Sequence, residues 1–208
     1  MDKQIALIAA AVAAVGLGAT WAVGAFYSRA NGDFAECRDG AVAGGAIGGP
    51  FTLIDETGAE VTDAQVLDEP ALVYFGYTFC PDVCPIDSMR NAQAVEILEE
   101  DGIEARPVFI TVDPARDTPE VLAEYTDNFH DRMVGLTGSE EQVAAAAKAY
   151  RVVYQALDDD PEFYTVNHSA FSYITLPGTG FVDFVRRDEP PEAVAERMAC
   201  FVRAAGQD

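Results

Sequence analysis

Basic residues are scarce in this chain: 13 Lys and Arg stand against 35 Asp and Glu, a formal net charge of −22 at pH 7. A surface that acidic repels phosphate backbones, which argues against nucleic acid as a partner. Its simplest use is to keep a domain soluble. Histidine is scarcer still, with only His130 and His168, and the cysteines number four. Metal or thiol chemistry therefore has few places to sit. No internal repeat is evident, which removes solenoids and propellers. Charge is missing altogether from Gln4 to Ser28, a run rich in Ala, Val, Leu and Ile.

That uncharged run exceeds the ~20 residues that a helix needs to cross a bilayer core. Trp21, Phe26 and Tyr27 cluster at its far end, as interfacial aromatics do. A cleavable signal peptide usually has a shorter apolar core. The stretch Ala22 to Ala25 is weakly compatible with cleavage, but the run reads better as an uncleaved anchor. Lys3 and Arg29 flank it almost symmetrically, so charge says little about orientation. A span this close to the start most simply leaves the rest of the chain outside the cytosol. The expected organisation is an anchor over residues 1–29, a Gly/Ala-rich tether over 30–50 and a folded domain over 51–208.

Within that domain, residues 51–54 and 60–62 predict a hairpin around Gly58, and residues 71–77 and 106–112 predict buried strands. Residues 86–101 have helical spacing, with Met89, Ala92, Val95 and Leu98 on one face. Thr118 and Pro119 predict a second helix start, and Ser139 with Gln142 a capping box. Residues 170–176 and 180–185 predict a closing hairpin, followed by a helix over 192–204. Strands alternating with helices give an α/β fold with a mixed central sheet flanked by helices.

The chemistry concentrates at Phe79-Cys80-Pro81-Asp82-Val83-Cys84-Pro85, between a buried strand and a helix. That is where α/β folds place their sites. Pro85 would interrupt a helix begun at Pro81, so the helix is expected to start at Pro85, with Cys84 near its cap. Thiols there feel the positive end of the helix dipole, which lowers their pKa. Three residues separate the cysteines, against two in thioredoxin-type oxidoreductases. The spacing leaves metal binding, redox exchange and a structural disulfide all open. His130, beside Asp131 and Arg132, reads as a solvated residue. His168 enters a strand on the loop that a thioredoxin-like topology sets beside the cysteines, which makes it a candidate ligand. Two thiolates and one imidazole suit Cu(I), and with an added oxygen Cu(II); zinc would want a fourth ligand.

The sequence resembles the Sco (SenC/PrrC) family of cytochrome c oxidase assembly proteins over most of residues 42–203. The resemblance rests on Gly49-Pro-Phe, on Val73-Tyr-Phe-Gly-Tyr-Thr-Phe-Cys-Pro-Asp-Val-Cys-Pro85, on Asp113-Pro-Ala-Arg-Asp-Thr-Pro119 and on His168-Ser-Ala-Phe-Ser-Tyr173. It implies a thioredoxin-like fold behind a transmembrane helix, with one copper ion bound by Cys80, Cys84 and His168. It also implies delivery of copper to the CuA centre of cytochrome c oxidase subunit II, or reduction of that subunit's cysteines by Cys80 and Cys84, or both. An upstream copper donor would then be a second partner. The expected location is a bacterial inner membrane, spanned once, with the soluble domain in the periplasm. Two departures stand out. Asn167 replaces the Asp that family members commonly carry before the histidine. The thioredoxin cis-proline position reads Asn167-His168-Ser169, which tilts the balance from general disulfide exchange towards metal binding. Cys37 and Cys200 lie outside the motif and could pair in an oxidising compartment. Asp82, Asp113, Arg116 and Asp117 read as cap, turn and salt-bridge residues.

Overall fold

Ala71 to Gly76 carry no charged side chain, and all six are buried in strand β3 of the computed structural model. The structure describes residues 34–38, 47–157 and 164–206. The apolar run of residues 4–28 and the acidic loop at 158–161 lie outside the described residues. Among the described residues, no helix is long and apolar enough to cross a membrane. The chain divides into two compact units, Met1–Arg38 and Asp39–Asp208. The described part of the first holds a short 3-10 turn, Ala35–Cys37.

The second unit is built on a seven-stranded mixed sheet. Strands β1 (Thr52–Asp55) and β2 (Glu60–Thr62) form an antiparallel hairpin, closed by Gly58 at φ +84 and by the Asp55 carboxylate, which accepts the Thr57 and Ala59 N–H groups. Strand β4 (Arg106–Thr111) runs parallel to β3 in register from Ala71↔Arg106 to Gly76↔Thr111. Strand β5 (Val134–Thr137) continues the parallel set beside β4 and takes β1 antiparallel on its other edge. A short ribbon of β6 (Tyr154–Ala156) and β7 (Val166–His168) stands apart as its own two-stranded sheet. Strands β8 (Ser172–Leu176) and β9 (Gly180–Val185) close the main sheet beside β3, giving the order β2-β1-β5-β4-β3-β8-β9.

Five helices complete the unit among the described residues. They are α1 (Asp63–Val66), α2 (Val83–Glu100), α3 (Pro119–Thr126), α4 (Glu140–Ala149) and α5 (Pro191–Ala205). Helices α2 and α5 pack on each other, α3 packs on β5 and α4 on β1. The helix ends follow their sequence signals: Thr118 accepts from the Val121 N–H, Ser139 and Gln142 cap each other, and Gly206 ends α5 in the left-handed conformation. Leu53, Leu72, Phe75, Phe109, Leu122 and Leu136 are fully buried, each contributing about 1.5–3 kcal/mol relative to exposure. This is the expected α/β architecture, a mixed sheet flanked by helices.

Three local readings change. Helix α2 begins at Val83, not Pro85, so Cys84 lies inside its first turn. Pro85 is tolerated there because the first amides of a helix have no intrahelical acceptor to lose. Met89 does not share the buried face of Ala92, Val95 and Leu98; it is exposed. His168 sits in β7, not on a loop, paired with Tyr154 of β6. Strands of three residues carry too little periodicity to be read from sequence.

Candidate metal and thiol centre

The turn that carries Cys80 leaves the end of β3 and is held by a buried carboxylate. Asp117 accepts from the Thr78 amide at 3.0 Å, the Thr78 hydroxyl at 2.6 Å and the Thr111 hydroxyl at 2.6 Å. One side chain thus ties the turn to the end of β4. Burial raises the Asp117 carboxyl pKa against the lowering effect of those hydrogen bonds. Glycine at position 76 is dictated by packing. A Cβ there would lie 2.7 Å from Tyr74 Cε1, 3.0 Å from Phe109 Cε2 and 3.1 Å from Cys84 Sγ.

Cys80 and Cys84 are free and buried. The Cys80 sulfur faces the start of α2, where the Cys84 amide donates to it at 3.4 Å. Burial raises the Cys80 thiol, but the backbone amides of Cys84, Asp82 and Val83 and the Cys84 thiol outweigh it and bring the group below its ordinary value. Cys84 goes the other way. Its burial is complete, and burial first, then the neighbouring Cys80 sulfur, push its thiol well above the ordinary range. The sequence expectation of two activated thiols therefore holds for Cys80 and fails for Cys84, because only Cys80 collects the helix amides.

His168 reaches this pair from β7. Its Nε2 lies 3.3 Å from Cys84 Sγ, across 84 residues of sequence. Its Nδ1 lies 3.0 Å from the Ser169 carbonyl oxygen, which can only accept, so Nδ1 carries the proton and Nε2 keeps its lone pair. Burial, partly offset by the Ser169 carbonyl and the charge of Asp87, holds the imidazole below its ordinary pKa and favours the neutral form. The rings of Tyr74 and Tyr77 meet the imidazole edge-on, at centroid distances of 6.0 and 5.9 Å.

The ribbon that bears His168 is fastened to the cysteine turn by Arg116. This guanidinium donates to Asp113 at 2.5 Å and to the Tyr164 carbonyl at 3.0 Å, and lies over the rings of Tyr164 and Phe79. The Tyr164 hydroxyl donates to the other Asp113 oxygen at 2.5 Å. Behind Cys84, the fully buried Asp87 accepts from Arg90 at 3.0 Å and faces Arg187 at 3.6 Å. Asp113, Arg116 and Asp117 thus have the salt-bridge and turn roles read from sequence. Asp82 is the N-cap residue of α2 but makes no side-chain cap bond. No cis peptide bond is found among the described residues.

The donor chemistry of this cluster is that of a soft-metal site: two sulfurs and an imidazole nitrogen with a free lone pair. As the side chains stand, no three His, Cys, Asp or Glu residues among the described residues are already arranged around an ion. Cys84 and His168 are in contact, while Cys80 turns toward the Cys84 amide. The same two thiols could also exchange with a disulfide. Sequence reasoning missed Asp87 and Arg90, which no local motif marks, and gave no role to Tyr74 although it lies in the Val73–Pro85 stretch. It also misplaced His130. That side chain is only 7% exposed, its Nε2 is 3.6 Å from Glu99, and its Nδ1 accepts the Arg132 amide at 3.1 Å. Cys37 and Cys200 are disulfide-bonded.

A thioredoxin-like domain whose CxxxC turn opens a helix opposite a partly buried, neutral histidine defines the class of protein. The chain belongs to the SCO1/SenC family, whose model matches residues 40–203. It is 51% identical to Protein SenC of Rhodobacter capsulatus over 204 residues, covering 98% of this chain and 92% of that protein. Among solved structures it is similar to Arabidopsis thaliana ScoI with copper bound, at 38% identity and a TM-score of 0.72, covering 76% of this chain and 99% of that one. Yeast Sco1 with copper bound gives 37% identity and a TM-score of 0.72, covering 76% of this chain and 90% of that one.

Proposed function

We propose that this protein carries one copper ion on Cys80, Cys84 and His168 and delivers it to the CuA centre of cytochrome c oxidase subunit II during assembly. The observation that carries the reading is the approach of His168 Nε2 to Cys84 Sγ at 3.3 Å, with the Nδ1 proton committed to a backbone carbonyl. That arrangement leaves a lone pair beside the Cys84 sulfur, with Cys80 on the same turn, a donor set suited to Cu(I) and, with an added oxygen ligand, to Cu(II). Copper-bound relatives at 38% and 37% identity support the choice of metal. The apolar run of residues 4–28 would anchor the domain to the bacterial inner membrane, facing the periplasm, where it takes copper from an upstream donor. Titration of the purified, reduced chain with Cu(I) against a competing chelator tests the site. One equivalent should bind, and His168→Ala should weaken binding while leaving the fold intact. Unchanged affinity in that variant would remove His168 from the site.

A second reading, reduction of the subunit II cysteines, is favoured by the unequal thiols. Cys80 is lowered by helix amides and Cys84 raised by burial, a split that nominates Cys80 as nucleophile and Cys84 as the resolving thiol. The Cys80 thiolate would attack a subunit II disulfide, and Cys84 would then displace the substrate thiolate, leaving a Cys80–Cys84 disulfide. Cys84→Ser should therefore trap a mixed disulfide with subunit II. Absence of any trapped species, with wild-type protein failing to reduce that disulfide, counts against it.

A further inference from the structure

Just past β4, the Asp113 carbonyl accepts the Arg116 and Asp117 amides at 3.2 and 3.0 Å and closes a tight turn. From this turn, consecutive side chains reach the two segments that carry the sulfurs and the imidazole. Asp117 holds Thr78, just ahead of Cys80. Arg116 holds Tyr164, just ahead of β7 and His168. Its Nη1 donates to the Tyr164 carbonyl at 3.0 Å and its Nε to the Asp113 carboxylate at 2.5 Å, while the Tyr164 hydroxyl donates to the other Asp113 oxygen. The guanidinium also lies 3.6 Å from the centroid of the Tyr164 ring and 4.8 Å from that of Phe79, the residue before Cys80. Burial of Val166 draws β7 toward the core, but apolar burial has no direction. A planar fork stacked on a ring fixes both distance and angle.

We propose that Arg116 is a positioning residue for the His168 imidazole: by joining Tyr164 to the turn that supports the cysteines, it sets where Nε2 lies relative to the two sulfurs, and with that the copper affinity. The inference rests on the proposed copper site and names what aligns its two halves. Cys80 and Cys84 come from one segment and His168 from another, and this side chain contacts both segments.

A mutant cycle with His168 tests it in the full-length chain. Arg116→Ala should lower Cu(I) affinity about tenfold, the scale of a lost support behind a metal ligand. In a His168→Ala background the same change should shift affinity by less than about twofold, because the group that Arg116 places is gone. Arg116→Lys keeps a cation beside Asp113 but loses the planar fork, so a folded variant should still lose affinity, by about threefold, and only when His168 is present. Hydrogen exchange of the metal-free chain gives a readout without copper. In Arg116→Lys the Ser169 and Leu157 amides, bonded to Val153 and Thr165 in the ribbon, should exchange faster, while the Val112 amide bonded to Gly76 keeps its wild-type rate. Unchanged affinity overturns the proposal. So do equal losses with and without His168, or a uniform rise in exchange, either of which would mark an ordinary structural arginine. If wild type binds no copper, the parent reading fails on its own, and the exchange pattern still judges whether Arg116 holds the ribbon.

Discussion

The two histidines of this chain are both partly buried, yet their ring nitrogens are committed in opposite ways. At His130 the backbone amide of Arg132 occupies Nδ1, and the remaining N–H lies toward the Glu99 carboxylate. No lone pair is left. At His168 a carbonyl takes the Nδ1 proton, and Nε2 keeps its lone pair beside Cys84. Burial alone therefore does not make a histidine a ligand; what occupies the other nitrogen decides it. His130 belongs to a charge cluster in which Glu69 accepts from both Arg106 and Arg132, and Arg132 reaches Glu99. His168 belongs to a cluster of sulfur and aromatic groups.

The most direct way to break this contrast is to remove each imidazole in turn. His168→Ala should lower Cu(I) affinity by more than about 100-fold, whereas His130→Ala should leave it within about twofold; equal losses would dissolve the distinction. Next in size is the floor on which the first cluster rests. Asp117→Ala would strand the Thr78 amide and two hydroxyls and should cost about 3 kcal/mol in chemical denaturation. Gly76→Ala should cost about 1–3 kcal/mol by overpacking Tyr74, Phe109 and Cys84.

A pH series sharpens the comparison further. Burial places the folded pKa of His168 below its unfolded value of about 6.5. As pH falls, the unfolded chain takes up the proton first, so the stability held by the neutral ring is present above about 6.5 and lost below it. Metal-free wild type should lose more stability between pH 7.5 and 5.5 than metal-free His168→Ala does. Matching slopes would contradict the neutral assignment. The smallest effect is expected for His130→Asn, whose side-chain oxygen can still accept the Arg132 amide. It should cost about 1 kcal/mol less than His130→Ala.

Much of the main sheet was legible because its strands are continuous apolar runs and its helices carry explicit caps. Ser139 with Gln142, and Thr118 with Pro119, announced their helices from a few residues each. The two thiols were legible from spacing, and His168 from its place opposite them in a thioredoxin-like topology. What escaped was anything defined by atoms rather than by pattern. The start of α2 was misplaced because Pro85 looks like a beginning, while it is tolerated inside the first turn. His130 looked solvated because its chain neighbours are charged, but its ring is met by the Arg132 backbone amide and by Glu99, far off in sequence. The unequal thiols follow from which sulfur the helix amides point at, and no linear motif records that.

The ribbon of β6 and β7 carries a further consequence. Among the described residues it makes three residue pairs and shares no strand with the seven-stranded sheet. Two-stranded pieces of that size have little stability of their own. What keeps the imidazole at its post is the burial of Val166 in the core together with a latch of a few polar bonds, chiefly Arg116 with Asp113 and the Tyr164 carbonyl. The nitrogen that faces Cys84 thus sits on a strand pair outside the main sheet, so the ladder of the seven strands does not by itself fix where that nitrogen points.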